Sequence, residues 1–361
     1  MAPKTLFGLL CCLPLIGCGS ETKIPEKNTI NPEIEQIVQK ELENAVAAYQ
    51  AKGATSIMME SKTGKIISMV SVGQADPMRY VYEMGSVFKI FNTALAYENG
   101  LDTKEYKIDE PLMIYDKNGN KVLAGPIDDV PSFKHYMKKQ GITKLTAPDI
   151  MLHSCNVGSA RIALDLPDGA QKEFFHRLHL DEKLDLNFGK TEKGLVPRKW
   201  GPVERATVSF GHGISVTPMH LLAAVNATAN GGTYVYPTMS KDEIKQGDRV
   251  LSSEISGKIR NVMFQVVENT SGRQAKIKGV EIGGKTGTAE KRVNGKMDGT
   301  KVITTFVAVF PVSDPQYTIL TLLDEPQGTE ISHGLKTSAW NVVPTTGKIL
   351  EQIVPMLITD K

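Results

Sequence analysis

The β-rich runs of this 361-residue chain lie toward its two ends with a long helical middle between them, and that layout restricts the possible folds most. Thr55–Glu60 and Lys65–Val72 flank Ser61-Lys-Thr-Gly64 and read as a hairpin, two β-rich runs joined by turn residues. Val280–Thr286, Val302–Phe310 and Tyr317–Leu323 read as strands near the other end. Strands at both ends imply one sheet closed by the two ends of the chain, with the helices lying on it, an α+β architecture. Before the hairpin, Asn31 is a good N-cap, Pro32 fits the first helical position, and Glu33 and Glu35 suit the positive end of the helix dipole. Ile34, Ile37, Val38, Leu42, Ala45, Val46 and Tyr49 share one face of that helix, and Gly53 is expected to stop it. Thr217 and Pro218 open a second well-marked helix that Gly231-Gly232 ends, and a last amphipathic helix covers 338–358.

Charge excludes some functions. Lys+Arg 42 against Asp+Glu 40 gives a formal net charge of +2, with no basic stripe for nucleic acid. No apolar run reaches the roughly 18–20 residues of a membrane-spanning helix. The N-terminus instead carries one charge at Lys4, a short apolar core from Thr5 to Gly17, and small residues after it, the pattern of a cleaved export signal over 1–17. Leu15-Ile16-Gly17-Cys18 resembles the lipobox of bacterial lipoproteins. That resemblance implies a lipid on Cys18, a periplasmic or extracytoplasmic location anchored to a bacterial membrane, and a polar tether over 18–30. Residues 31–361 then form the working domain. Cys11 and Cys12 leave with the signal, so Cys155 becomes the free thiol of an exported protein without disulfides.

Three short motifs carry the chemistry. Ser86-Val-Phe-Lys89 opens an apolar helix that runs to about Asn99, Ser154-Cys155-Asn156 follows, and Lys285-Thr286-Gly287-Thr288 closes a strand. Each is weak alone: Ser20-Glu-Thr-Lys23 lies in the tether and Lys62-Thr63-Gly64 in the hairpin turn. Order and context single out the set at 86, 154 and 285. Positions i and i+3 share a helix face, so the Lys89 amine can reach the Ser86 hydroxyl. A serine needs a base to become a nucleophile. Lysine serves if burial or a nearby cation lowers its pKa, and Lys285 is the candidate cation. Val87, Phe88, Ile90, Phe91, Ala94 and Leu95 make this helix apolar nearly all round, so Lys89 is expected to be buried. Gly283, Gly284 and Gly287 weaken a strand and mark a close approach of another backbone or a ligand.

The set Ser-x-x-Lys, Ser-x-Asn and Lys-Thr-Gly is the signature of penicillin-binding proteins and serine β-lactamases. With Gly53-Ala-Thr-Ser-Ile-Met-Met-Glu-Ser-Lys-Thr-Gly-Lys, Ser209-Phe-Gly-His-Gly-Ile-Ser-Val-Thr-Pro218 and Lys285-Thr-Gly-Thr-Ala-Glu290, the chain resembles the transpeptidase domain of class B, septal penicillin-binding proteins over roughly 32–358. The resemblance implies a five-stranded antiparallel sheet flanked by helices, with an all-helical subdomain and the site between them. It implies that Ser86 is acylated by D-Ala-D-Ala stem peptides of peptidoglycan and by β-lactams. Lys89 would be the base, and Ser154 would relay a proton to the leaving group. Asn156 would bind the substrate amide, Lys285 would tune the field, and Thr286 and Thr288, around Gly287, would hold the substrate carboxylate. The backbone N–H groups of Ser86 and Thr288 would form an oxyanion hole. The family's pedestal domain and membrane helix have no counterpart before residue 54, which leaves partnership with other cell-wall synthesis proteins open.

Two further readings stand beside a D,D-transpeptidase with carboxypeptidase activity. A serine β-lactamase would need a deacylating base, and no class A-like Glu-x-x-Leu-Asn run follows Ser154. A penicilloyl-accepting sensor or wall-binding scaffold is the non-enzymatic alternative. Neither metal nor cofactor is expected: His176 and His179 are the one close histidine pair, and no His-Glu-x-x-His helix exists.

Overall fold

The computed structural model describes residues 28–358 apart from 117, 124, 294 and 295. The export signal, Cys18 and the first part of the tether lie outside the described residues. Asn28–Ile30, the end of that polar segment, are held against the body. Thr29 N–H donates to Met239 O at 3.0 Å and its hydroxyl to Ile66 O at 2.6 Å.

Helix α1 (Pro32–Ala48) begins where Asn31 accepts the N–H groups of Glu33 and Ile34. It ends before the expected Gly53, because Gln50 takes a left-handed turn (φ 47) and Gly53 already opens a strand. The sheet has β1 (Gly53–Glu60), β2 (Ile66–Gly73), β3 (Gly283–Val293), β4 (Lys296–Phe310) and β5 (Tyr317–Asp324). Their order is β2-β1-β5-β4-β3, every pairing antiparallel, so β5 from one end of the chain sits between β1 from the other and β4.

The two-residue period of a strand sorts the side chains into two cores. Ile57, Leu320 and Val307 lie side by side across three strands and face the helical middle. Met58, Ile319 and Ala308 alternate with them and face α1 and the C-terminal helix. That helical middle includes α2 (Lys89–Glu98), α3 (Ala147–His153), α4 (Asn156–Asp165), α5 (Pro218–Ala229) and α6 (Ser253–Asn269), and the chain closes with α7 (Val342–Leu357). Every residue of α5 is buried, so it forms the centre of the helical layer instead of presenting an amphipathic face. Two smaller cores, one around Ile108, Ile150 and Ile162 and one around Ile114, Ala160 and Phe210, hold the helical subdomain.

Two expected boundaries move. The strand expected over 280–286 begins at Gly283 and runs to Val293, so Lys285–Thr288 lie within it and do not close it. Pairing with β4 carries the backbone through all three glycines, and ladder hydrogen bonds outweigh their poor strand propensity. The last helix is preceded by a separate short 3₁₀ turn, Ser338–Trp340, and Asn341 accepts Val342 N–H at its start.

Candidate active site

Gly85 breaks the approach to Ser86. It adopts φ +54, and a Cβ there would sit 2.4 Å from Thr288 O. The chain then enters a 3₁₀ turn, Gly85–Phe88, before α2 begins at Lys89, so Ser86 stands on a tight turn that feeds the helix. Gly287 and Gly211 complete the stack: a Cβ on Gly287 would meet Met84 O at 2.1 Å, and one on Gly211 (φ +84) would meet Gly85 O at 2.0 Å. Three backbones thus touch directly. The close approach expected at Gly287 is made by the chain's own backbone, while Gly284 makes room for the Phe306 ring. Gly211→Ala should destabilise the fold by roughly 2–5 kcal/mol, combining a strained φ with a backbone clash. A lowered thermal midpoint checks it.

Lys89 is fully buried, and its Nζ donates to Ser86 Oγ and to Asn156 Oδ1, both at 2.7 Å. Burial lowers its pKa to about 8, against the upward pull of Asp129 and Cys155. The Phe210 ring centroid is 5.8 Å from the same nitrogen.

Ser154 ends α3 in the left-handed region (φ 62), which turns the chain so that Cys155 caps α4 and Asn156 is its first residue. The Ser-x-Asn motif therefore spans a helix–helix junction. Lys285 Nζ donates to Ser154 Oγ and to Thr286 O, each at 3.1 Å. Lys285 is fully buried, and burial first and the Lys89 charge second push its pKa well below the ordinary lysine value. Burial is the first cause of the lowering at both lysines, and the repulsion between their two charges is mutual. The two partners that accept from Lys285 are neutral, whereas Lys89 has the Asp129 charge near it.

Strand alternation divides Lys-Thr-Gly-Thr. Lys285 and Gly287 lie opposite Val307 and Thr305, on the face toward Ser154 and Met84. Thr286 and Thr288 lie opposite Phe306 and Thr304 and turn the other way. Their hydroxyls meet Ser271 Oγ at 2.8 Å and Ser338 Oγ at 2.6 Å, and Ser338 also donates to Gly287 O. Ser271, Ser338 and Asp129 are site residues that motif reading missed; they stand in turns and irregular segments that carry no spacing signal. Cys155 is buried; burial and Asp129 push its thiol pKa up, which keeps it protonated, a packed residue and not a second nucleophile. The two histidines of the close pair each meet a carboxylate, His176 with Asp181 at 3.1 Å and His179 with Glu182.

A turn-borne serine bonded to a buried lysine, beside a Lys-Thr-Gly edge strand, defines a protein of the active-site-serine, penicillin-recognising class. The family described as penicillin binding protein transpeptidase domain matches residues 54–343, and the chain belongs to it. The probable peptidoglycan D,D-transpeptidase FtsI of Caulobacter vibrioides is 30% identical over 92% of this chain and 59% of its own length. Stage V sporulation protein D of Bacillus subtilis is also 30% identical, over 92% of this chain and 53% of its own. The chain thus spans little more than half the length of these curated relatives. The transpeptidase domain of Burkholderia pseudomallei penicillin-binding protein 3 shares the fold, with a TM-score of 0.79 at 23% identity, covering 92% of this chain and 97% of that one. A putative peptidoglycan glycosyltransferase from Atopobium parvulum aligns with a TM-score of 0.78 at 20% identity, over 92% and 79%.

Proposed function

We propose that this protein is a peptidoglycan D,D-transpeptidase that works through an acyl-serine on D-Ala-D-Ala stem peptides in cell-wall synthesis and septation. The observation that carries the reading is the 2.7 Å bond between a buried, pKa-lowered Lys89 amine and Ser86 Oγ. In its neutral form Lys89 takes the Ser86 proton as Oγ attacks the carbonyl of the penultimate D-Ala. The N–H groups of Ser86 and Thr288 hold the developing oxyanion. The same proton reaches the leaving D-Ala nitrogen through the Ser154 hydroxyl, which Lys285 orients by its hydrogen bond. The C–N bond breaks, free D-Ala departs, and the acyl-serine remains. An acceptor amine then attacks the ester and releases Ser86; water in its place makes the reaction a carboxypeptidase one. Asn156 binds the substrate amide, and Thr286 and Thr288, with Ser271 and Ser338 behind them, receive the terminal carboxylate.

The arrangement favours a long-lived acyl-enzyme over a β-lactamase. Both oxygens of Asp129, the carboxylate whose charge bears on Lys89, are taken by the N–H groups of Asn156 and Val157 and by the Cys155 thiol, so neither is presented to a deacylating water. Incubation with two stem pentapeptides should yield a cross-linked product and free D-Ala, and incubation with a penicillin should yield a stable single adduct. Rapid drug hydrolysis with a transient adduct would move the protein to the β-lactamases, and adduct without any peptide product would leave a sensor. Export and anchoring through Cys18, with a short tether to a bacterial membrane, complete the reading. Labelled palmitate should enter the wild-type protein in bacteria and not Cys18→Ser.

A further inference from the structure

Asp129 lies outside every motif, in an irregular stretch just before the helix Pro131–Gln140, and it is 6% exposed. Its Oδ1 accepts Asn156 N–H at 2.5 Å, and its Oδ2 accepts Val157 N–H at 3.2 Å and the Cys155 thiol at 3.1 Å. These are the cap and the first two residues of α4, where backbone N–H groups lack helical partners and the dipole is positive. Asp129 is itself held in place. Ile127 exchanges two 2.8 Å backbone hydrogen bonds with Leu112, Asp128 Oδ1 accepts Asp129 N–H at 2.8 Å, and Asp128 pairs with Lys134 at 2.6 Å. At the other end of α4, Arg205 donates to Ala163 O at 2.9 Å and to Leu166 O. The helix that begins with Asn156 is therefore tied at both ends, and its N-terminal tie is a buried carboxylate.

Given acylation at Ser86, on which this inference rests, we propose that Asp129 is a positioning residue. It clamps the Cys155–Val157 backbone so that Asn156 holds Lys89 against Ser86, and it supplies the negative charge that the Lys89 ammonium faces. Around Lys89 stand Asp129, Cys155 and Asn156 from the α3–α4 side, Lys285 from β3, Ser86 from its own turn, and the Phe210 ring. Among the charged groups facing Lys89, Asp129 is the anion, and Lys285 is a lysine whose ammonium burial disfavours. Removing the Asp129 charge should therefore make the Lys89 ammonium harder to keep.

The test is Asp129→Asn, which keeps volume and one acceptor, and Asp129→Glu, which keeps charge but moves it. Two readouts are followed against pH: the penicillin acylation rate, and the Lys89 titration itself by NMR of ¹³Cε-labelled lysine, assigned with Lys89→Met. In Asp129→Asn the Lys89 midpoint should fall by about one pH unit, as expected for loss of a nearby opposite charge. Its high-pH acylation plateau should fall by roughly 10²-fold, as expected for a displaced reacting group. Asp129→Glu should lose plateau rate and keep the midpoint. A folded Asp129→Asn with the wild-type midpoint would overturn the proposal, as would failure of both variants to melt cooperatively, which would mark the carboxylate as purely structural. Absence of any adduct in the wild-type protein would sink acylation at Ser86, and the NMR midpoints would still decide what Asp129 does to Lys89.

Discussion

Ser86→Ala should give a folded protein that takes up no penicilloyl group. The Ser86 hydroxyl is bonded to Lys89 at 2.7 Å, and the turn around it is built by backbone contacts of Gly85, Gly211 and Gly287 that alanine leaves alone. Lys89 keeps its second acceptor, Asn156 Oδ1. The loss of one hydrogen bond therefore costs about 1 kcal/mol, and the thermal midpoint should move by only a few degrees. Chemistry is another matter, since no other group in the triad of Ser86, Lys89 and Asn156 can become an ester. Acylation should fall by at least about 10⁴-fold, in line with removal of a nucleophile. Intact mass after incubation with a penicillin reads both states at once, one added penicilloyl mass in the wild type and none in the variant. An adduct of equal yield in Ser86→Ala would place the nucleophile elsewhere.

With the neutral Lys89 amine as the proposed base, acylation of the wild type should rise about tenfold per pH unit below a midpoint near 8 and level off above it. Lys89→Arg should remove that rise and lower the rate by roughly 10³–10⁴-fold, because guanidinium does not lose its proton. Stability follows the same shift. The folded pKa lies near 8 against an ordinary 10.5, so between those values the unfolded chain binds more protons and stability increases with pH. The penalty of the buried ammonium is fully present below about 8 and is relieved as pH climbs toward the unfolded value. Lys285, also depressed, adds in the same direction. Stopped-flow acylation and thermal melts across this range measure the two effects separately; a rate flat from pH 6 to 9 would remove Lys89 from the role of base.

Much of the site is legible because its pieces are local. The i, i+3 spacing of Ser86 and Lys89 places them together in whatever helix forms, and the apolar surroundings of Lys89 within α2 already require its burial. The hairpin of β1 and β2 and the capped starts of α1 and α5 follow from turn, cap and proline chemistry that acts within a few residues. Other features depend on distant segments. Lys285 looks like a cation beside Lys89 in sequence, but burial, made by segments far apart in the chain, is the first cause of the lowered pKa at both lysines. The strand β3 runs on past Thr286 because its ladder with β4 overrides the glycines in it.

The chain's order of motifs thus determined, unaided, which residues could form a nucleophile, a base and a strand-borne recognition element, and its layout that the two ends would close one sheet beneath the helices. Only the tertiary structure decided which hydroxyls stand behind Thr286 and Thr288, which backbone carbonyls demand Gly85, Gly211 and Gly287, and that Asp129 holds the start of α4. The reason is physical. Hydrogen bonds along a helix or turn link residues a few positions apart, whereas the electrostatic environment of a buried amine is set by every charge that folding brings near it, at any separation in the chain.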